Sequence, residues 1–588
     1  MPKEIAKNGK DYSQFSKDDL IKIVEKLETR KKYGLIWDEE KVKEQFEKDA
    51  ENALPVLKEI SGKEITDKDA SKPINILIEG DNYHALSVLN FTHQGKIDVI
   101  YIDPPYNTGN KSWKYNNDFV EKDDEWKHSK WISFMSKRLR LAKNLLSEQG
   151  ALICAIDHNE QEALGLLLKE IFPGMEITCV TIVHNPRGIQ GDNFSYTHEY
   201  AYFVFPSGKY INRKQRSEDE AEWSNLRNWG GESTREYGYS LFYPIYFKGN
   251  KITKIGDIPA KSFHPQKAYQ TLKNGELEVW PIDNNGIERK WRYSRETLSE
   301  ILDQIRVIEI KRTTQVQILK SEDRYKTVWM DSKFDASIYG TQLIREILGR
   351  EFPFPKSLYA VKECLNAVAV NKKDAIVLDF FAGSGTTGHA VLDMNKDDNG
   401  NRSFILCTNN ELNGEEKGLR AKGLKEKDIQ AHGICQFVTY PRIERVIKGY
   451  TNSKKEKVSG LGGSLKYFKT KFVKKNANGD DFKTRITHEC TEMLCLREGV
   501  FDEVKKTDHC RIFQQGDKTL VVYYSLERKS LPALKKELEK MDGEKILYCF
   551  TLDQGGLNEK EFKNWKDITL EPIPQKILEV YNQIYDRS

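Results

Sequence analysis

The run Ile97-Asp98-Val99-Ile100-Tyr101-Ile102 is apolar and β-branched, and it stops at Asp103-Pro104-Pro105-Tyr106. Such a run, bounded by a turn, predicts a fully buried parallel strand, and a parallel strand commits the chain to an α/β sheet with both faces covered. The tetrapeptide then falls at the strand's carboxyl end, the edge of an α/β sheet where ligands bind. Its groups suit an amino-bearing ring. A carboxylate and a backbone carbonyl both accept hydrogen bonds from an exocyclic amino group, and Pro105 removes a donor and stiffens the turn. Tyr106 offers a flat face on which a base can stack. The plain alternative is a proline-rich turn with no chemistry.

A second run, Ala375-Ile376-Val377-Leu378-Asp379, leads into Phe380-Phe381-Ala382-Gly383-Ser384-Gly385-Thr386-Thr387-Gly388 and then a helical pattern through Ala390, Val391 and Leu392. Glycines let a backbone pass close to a bound ligand where a Cβ would collide. Nicotinamide and flavin enzymes carry such βα turns too, but here the Gly-x-Gly-x-x-Gly spacing is only loosely kept. Taken with this loop, Asp-Pro-Pro-Tyr resembles the catalytic motif of the amino-methyltransferases that modify adenine N6 in DNA. The Asp379-Phe380-Phe381 lead-in resembles the S-adenosylmethionine loop of the same enzymes. Phe404-Ile405-Leu406-Cys407 predicts a further strand, closed by Glu411, whose carboxylate is placed to accept both ribose hydroxyls. A solvated loop carboxylate is the other reading of Glu411.

Catalytic tetrapeptide first, a long insert, then the cofactor loop is the arrangement of the β group of these methyltransferases. Ile76-Leu77-Ile78-Glu79-Gly80-Asp81-Asn82 resembles the strand and Gly-Asp turn at the adenine end of the cofactor site. Trp131 to Leu146, then Gly150 to Asp157, resembles the helix and strand after the catalytic loop. Phe352-Pro353-Phe354-Pro355-Lys356-Ser357 resembles the segment whose following helix reaches the methionine carboxylate. The resemblance therefore implies S-adenosylmethionine held by Asp81, Lys356, Asp379, Phe381, Ala382, Gly383, Ser384, Gly385, Thr386 and Glu411, with Asp103, Pro104, Pro105 and Tyr106 catalytic. Two departures, Phe380 and Ser357 where relatives commonly have proline, remove no functional group. The layout, with Tyr33-Gly34-Leu35-Ile36-Trp37 and Phe437-Val438-Thr439-Tyr440-Pro441-Arg442, resembles the modification (Mod) subunit of type III restriction–modification systems. That implies a homodimer and a separate restriction (Res) partner. A Walker-type Gly-x-x-x-x-Gly-Lys-Ser/Thr loop is absent from the sequence, which separates this chain from the translocating, cutting subunit.

At 588 residues the chain is long enough for three or four domains. No run approaches the ~18 apolar residues of a membrane span, and the first residues lack a signal peptide's apolar stretch, so a cytoplasmic, non-membrane protein is expected. Nine scattered cysteines, with Cys154, Cys407 and Cys435 read in core strands, indicate reduced thiols. His488, Cys490, Cys495, His509 and Cys510 match no common zinc spacing, so no metal is expected. The net charge of +4 is close to neutral, and its distribution is more informative. Basic and aromatic residues interleave between the two motifs: Arg213, Lys214 and Arg216; Arg289, Lys290 and Arg292 around Trp291 and Tyr293; Lys311 and Arg312. Such clusters neutralise phosphates and read base edges in double-stranded DNA, although each alone is ordinarily a solvated face. In the β group this insert is the target-recognition domain.

Five segments follow. Residues 1–72 are mainly helical, with Leu20, Ile23, Val24 and Leu27 on one face and parts of Val42 to Leu57 at similar spacing. Residues 73–184 form the catalytic half of a Rossmann-like methyltransferase sheet in permuted motif order, 185–345 the recognition insert, and 346–450 the cofactor-binding half. Ser453 to Ser464 reads as a linker, and 465–588 as a C-terminal α/β or α+β domain for partner contact. The implied reaction is methyl transfer to adenine N6 after the base leaves the stack. The alternatives are an orphan or type II-like enzyme, cytosine N4 as target, an RNA or protein methyltransferase, and a non-catalytic DNA-binding module.

Overall fold

The computed structural model describes residues 15–28, 52–69, 71–115, 118–121, 126–188, 190, 193–216, 221–310, 313–412, 416–475, 478–553, 555–558, 560–563, 565 and 567–585. Two compact units are distinguished: residues 1–210 with 326–588, and residues 211–325.

The first unit is built on a ten-stranded sheet. Its strands are β1 (Ala53–Glu59), β2 (Ile74–Glu79), β3 (Ile97–Ile102), β4 (Leu146–Ile156), β5 (Glu176–Val183), β6 (His198–Phe205), β7 (Val328–Trp329), β8 (Ile376–Asp379), β9 (Ser403–Thr408) and β10 (Ser464–Lys474). They lie side by side in the order β1-β10-β2-β9-β8-β3-β4-β6-β5-β7. The six from β10 to β4 run parallel, while β1, and β6 between its neighbours, run antiparallel. All six residues of β3 are buried, as its unbroken apolar character requires of a central parallel strand. Asp98, inside it, accepts from the Ile376 N–H at 2.9 Å and pairs with Lys372, tying the start of β3 to the start of β8.

Among the helices of this unit are α1 (Lys17–Glu28), α2 (Asn82–Thr92), α3 (Lys127–Lys143), α4 (Gln161–Ile171), α5 (Leu358–Ala369), α6 (Thr386–Asp398) and α7 (Tyr440–Lys448). Helices α2 to α7 each bury an apolar face in the core, so the parallel strands are covered as their composition demands. Chain order runs outward from the centre in both directions, β8 to β9 on one side and β3 to β4 on the other. The reversal between β3 and β8 places their carboxyl ends side by side, the general ligand position of doubly wound folds.

The structure departs from the sequence-based expectations at several elements. Ala53–Glu59, within the segment expected to be helical, is an edge strand. Pro55 lacks an N–H and fits a sheet edge far better than a helix interior. The helical spacing around Leu20 is met at α1, whose Leu20, Ile21 and Val24 are exposed. Residues 29–51, which include Tyr33 to Trp37 and the start of the Val42 to Leu57 pattern, lie outside the described residues. The expected linker supplies one strand of a hairpin, Lys457–Ser459, paired with Gly449–Thr451. Residues 465–474, assigned to the end domain, belong to β10, which pairs with the whole of β2 in the main sheet. The end segment adds a five-stranded sheet from Asp502 to Ile573. Its Leu520, Tyr548, Ile577 and Tyr581 share one hydrophobic core with Leu54, Leu86 and Leu89, so it extends the first unit. Cys435 is buried in a π-helical turn, Cys435–Thr439, rather than in a strand.

The second unit spans 211–325 rather than 185–345, because β6 and β7 belong to the central sheet. It has a three-stranded sheet (Glu222–Asn225, Thr313–Lys320, Ile305–Ile310) and a four-stranded one (Lys251–Ile255, Ile245–Lys248, Leu277–Val279, Tyr269–Thr271). Tyr243, Phe247, Trp291 and Ile318 are among the residues of its own core.

Candidate active site

Asp103 to Tyr106 leave the buried end of β3. The loop is fixed from outside: the Trp131 indole N–H of α3 donates to the Pro105 carbonyl at 2.7 Å. Asn107, next in the chain, adopts a left-handed φ of 57°. Its amide donates to the buried Glu160 carboxylate, which also meets His128 Nδ1 at 2.7 Å. Burial pushes the Glu160 carboxyl up, against the pull of Asn107 and His128.

Four side chains converge beyond the loop. Lys356 Nζ lies 3.0 Å from Asp103 Oδ1 and 2.8 Å from Glu199 Oε2. The Tyr106 hydroxyl donates to Glu199 Oε2 at 3.1 Å and receives a hydrogen bond from Lys356, whose ammonium also sits 4.5 Å from the Tyr106 ring centroid. Glu199 comes from β6 and is only 6% exposed. Lys356 immediately precedes Ser357, which caps α5 by accepting from Ala360 N and itself donates to the Lys333 carbonyl. A cation between two carboxylates in a largely buried pocket sets the electrostatics. Burial raises the Asp103 carboxyl above its ordinary range, opposed by Lys356. Burial pushes Glu199 up as well, but the charges of Lys356 and His184, with the hydrogen bonds from Lys356 and Tyr106, bring it below its ordinary value. Burial works against the Lys356 ammonium, and Asp103 and Glu199 together hold its pKa well up.

The glycine loop leaves β8, the neighbour of β3. Asp379 accepts from the Phe381 N–H at 2.9 Å and from Thr387 Oγ1 at 2.5 Å, closing the turn onto the first residues of α6. Burial lifts its pKa to about 7. Gly383 (φ 47°) and Gly385 (φ 79°) occupy the left-handed region. A Cβ at Gly383 would meet nothing closer than the Phe381 carbonyl oxygen at 3.8 Å, so this stretch of backbone faces open space in which a ligand can approach it. Beneath the loop, Arg442 of α7 is buried and donates to Thr386 Oγ1 at 2.8 Å and to Ser384 Oγ at 3.1 Å. Burial pulls its pKa down to about 9. Asn82 donates to the Phe380 carbonyl at 3.0 Å and accepts from Arg138 at 2.6 Å, which binds the start of α2 to the same loop. Phe381 packs on Phe134 of α3 with ring centroids 5.9 Å apart.

Other expected residues are placed as follows. Asp81 caps α2 by accepting from Tyr83 N, with Arg138 at 3.7 Å. Glu411 lies exposed beyond β9, its carbonyl accepting from Ile434 N. Lys356, expected at the cofactor, has its ammonium on the Asp103 carboxylate. In the second unit, Arg216 is engaged by Asp323 at 2.7 Å and Arg289 by Asp283 at 2.9 Å, so both brace the unit itself. Lys290 donates to the Tyr237 carbonyl and Arg292 to Ser224 Oγ, while Arg213 is exposed and Lys214 half-buried on a short strand. Lys311 and Arg312 lie outside the described residues. Arg227, Arg235, Lys261 and His264 line a cleft of about 1230 Å³ within this unit.

Sequence reasoning does not single out Glu199, Arg138, Glu160 or Arg442 as site residues. For Glu199 a signal exists: one acid inside the otherwise aromatic and apolar run of the His198–Phe205 strand. Among the described residues no group of His, Cys, Asp and Glu is arranged to hold a metal ion, and no helix is long and apolar enough to cross a membrane.

Comparison with known proteins converges on the same region. A family model described as DNA methylase matches residues 97–412, more than half of the chain. The Mod subunit of the type III restriction-modification enzyme EcoPI of Escherichia phage P1 is 26% identical over 465 residues, 71% of this chain and 67% of that protein. The type II methyltransferase M.KpnI of Klebsiella pneumoniae is 30% identical over 351 residues, 56% of this chain and 79% of that protein. The StyLTI Mod subunit of Salmonella typhimurium is 26% identical over 440 residues; the match spans 69% of this chain and 62% of that protein, less than two thirds of its length.

Proposed function

The chain belongs to the DNA methylase family matched over residues 97–412, and from that membership we propose that it methylates adenine N6 at specific sites in duplex DNA, using S-adenosylmethionine, as the modification subunit of a type III restriction–modification system. The observation that carries this reading is the juxtaposition of two loops. Asp103–Tyr106 and the Asp379–Thr386 turn leave adjacent parallel strands at the switch point of the sheet. The open space beside Gly383, the buried Asp379 at the strand end and the half-buried Phe381 fit a nucleoside-bearing cofactor.

The cofactor supplies an electrophilic sulfonium methyl. The protein's part is to make a poor nucleophile point at it. The lone pair of an adenine amino group is delocalised into the ring. Hydrogen bonds from N6 to the Asp103 carboxylate and the Pro104 carbonyl favour a pyramidal nitrogen whose lone pair is aimed at the methyl carbon. Tyr106 stacks on the extruded base, and Trp131 holds the loop against α3 so that these acceptors stay in register. Phe381, the glycine loop and Glu411 are assigned to the cofactor, with Arg442 supporting the loop from below. Recognition of sequence is assigned to the 211–325 unit, where Arg213 is an exposed cation. A homodimer and a separate Res partner belong to the same proposal, and the naming of the similar proteins as Mod subunits supports the second of these.

Tritiated S-adenosylmethionine is incubated with the purified chain and unmethylated duplex DNA, with RNA and protein as controls, and modified bases are mapped. Label confined to adenine N6 at one short sequence is expected. Label in RNA or protein alone overturns the proposal, and light scattering tests the dimer separately.

A further inference from the structure

The Lys356 ammonium stands on the acceptor that the target amino group needs. Its Nζ lies 3.0 Å from Asp103 Oδ1, on the one carboxylate of the catalytic loop. Oδ1 is a buried atom whose neighbouring cation is this Nζ, so a donor that is to reach it needs the lysine to give way. A neutral amino group that approaches this oxygen has to compete with a full positive charge already beside it. The pocket also holds a second anion. Glu199 Oε2 is 2.8 Å from the same Nζ and 3.1 Å from the Tyr106 hydroxyl, on a strand outside both catalytic loops.

We propose that Glu199 is a positioning residue that keeps Lys356 when the target base enters, so that Asp103 is vacated for the amino group and the lysine acts as a built-in placeholder for it. The inference rests on the methyltransferase reading above and deepens it. Two carboxylates share one cation, so releasing Asp103 does not strand the ammonium: it stays 2.8 Å from Glu199 and against the electron-rich Tyr106 ring. Without Glu199, that release would leave a buried charge with no anionic partner, a state proteins avoid. The cation would remain on Asp103, and the base would meet an acceptor already in use. The burial of Glu199 and its two contacts are thus those expected of a berth close enough to exchange a partner through side-chain motion alone.

The test uses the full-length chain, tritiated S-adenosylmethionine and unmethylated genomic DNA, with thermal unfolding run on every variant. Glu199→Gln is expected to lose about tenfold or more in kcat with cofactor affinity by calorimetry unchanged, and Glu199→Asp to recover most of that loss. The decisive variant is Glu199→Gln combined with Lys356→Met, expected to run about fivefold or more faster than Glu199→Gln alone, because the placeholder is gone. A double variant no faster than the single, or wild-type kcat in Glu199→Gln, overturns the proposal. Should Glu199→Gln fail to fold, Lys356→Met alone decides. An unchanged or lower KM for DNA supports the placeholder, and a rise in that KM or in the cofactor Kd of about tenfold overturns it by making the lysine a ligand-binding group. A wild-type chain that labels no DNA at all refutes the methyltransferase reading instead, which keeps the two failures apart.

Discussion

The loops that leave β3 and β8 start side by side on one sheet edge, yet they are built from different materials. The turn of the β8 loop is closed within itself, although Arg442 and Asn82 brace it from elsewhere in the chain. Asp379 binds Phe381 N and Thr387, both within the same turn, and two left-handed glycines shape it. The β3 loop is completed from afar, since Glu199 arrives on β6 and Lys356 from the segment before α5. One loop offers backbone and empty space; the other offers a balance of charge, two carboxylates to one ammonium. A side-chain substitution should therefore act on the chemistry at β3 and on ligand affinity at β8.

The largest expected effect breaks the β3 side. Asp103→Ala removes the carboxylate proposed to order the amino group, and Tyr106→Ala removes the proposed stacking face. Losses on the order of 10²–10³-fold or more in methyl transfer are expected, the scale on which single preorganised polar groups act. Calorimetric affinity for S-adenosylmethionine should persist, because the loop at β8 keeps all its partners. Wild-type turnover in Asp103→Ala would remove the catalytic assignment.

The contrast also explains what can be read from the sequence. Both strands and both loops are legible, because each is a contiguous apolar run followed by residues of special geometry: prolines in one case, glycines in the other. Their adjacency is less local. The pairing of β3 with β8 is anchored by the Asp98 side chain, which accepts from Ile376 N, and a lone acid inside an apolar run gives no hint of its partner.

The rest of the hidden structure is long-range in the same way. Glu199 and Lys356 meet only because β6 turns back antiparallel beside β4, and no local pattern encodes that register. Pro55 falls within a helical spacing because its neighbours are apolar at the right intervals; only the sheet edge explains why a residue without an N–H is accepted there. Arg216 and Arg289 have the composition of DNA contacts, and composition cannot reveal that Asp323 and Asp283 already engage them.

A smaller effect sharpens the β8 side. Gly383→Val places a branched side chain at a φ of 47°, a conformation such residues rarely adopt, and fills the open space beside the loop. Cofactor affinity should fall by about tenfold or more, while duplex DNA binding stays near wild type. Calorimetry that finds unchanged cofactor affinity would remove this backbone from the pocket.

A further effect concerns Asp379 and appears as a dependence on pH. Burial lifts its folded pKa to about 7, above the ordinary carboxylate value that it has in the unfolded chain. The folded state therefore holds this proton more tightly than the unfolded state does. Its contribution to stability is fully present below the unfolded pKa, about 4, and is lost as pH rises through about 7. Asp379→Asn cannot titrate, so the Tm of the wild type relative to this variant should fall steadily from about pH 4 to about pH 8. Replacement also alters the acceptors for Phe381 N and Thr387, which shifts the variant's Tm by an amount independent of pH and leaves the slope as the readout. A Tm difference that is flat across that range would mean that Asp379 titrates normally, and that the loop at β8 carries no charge strain comparable to the shared cation at β3.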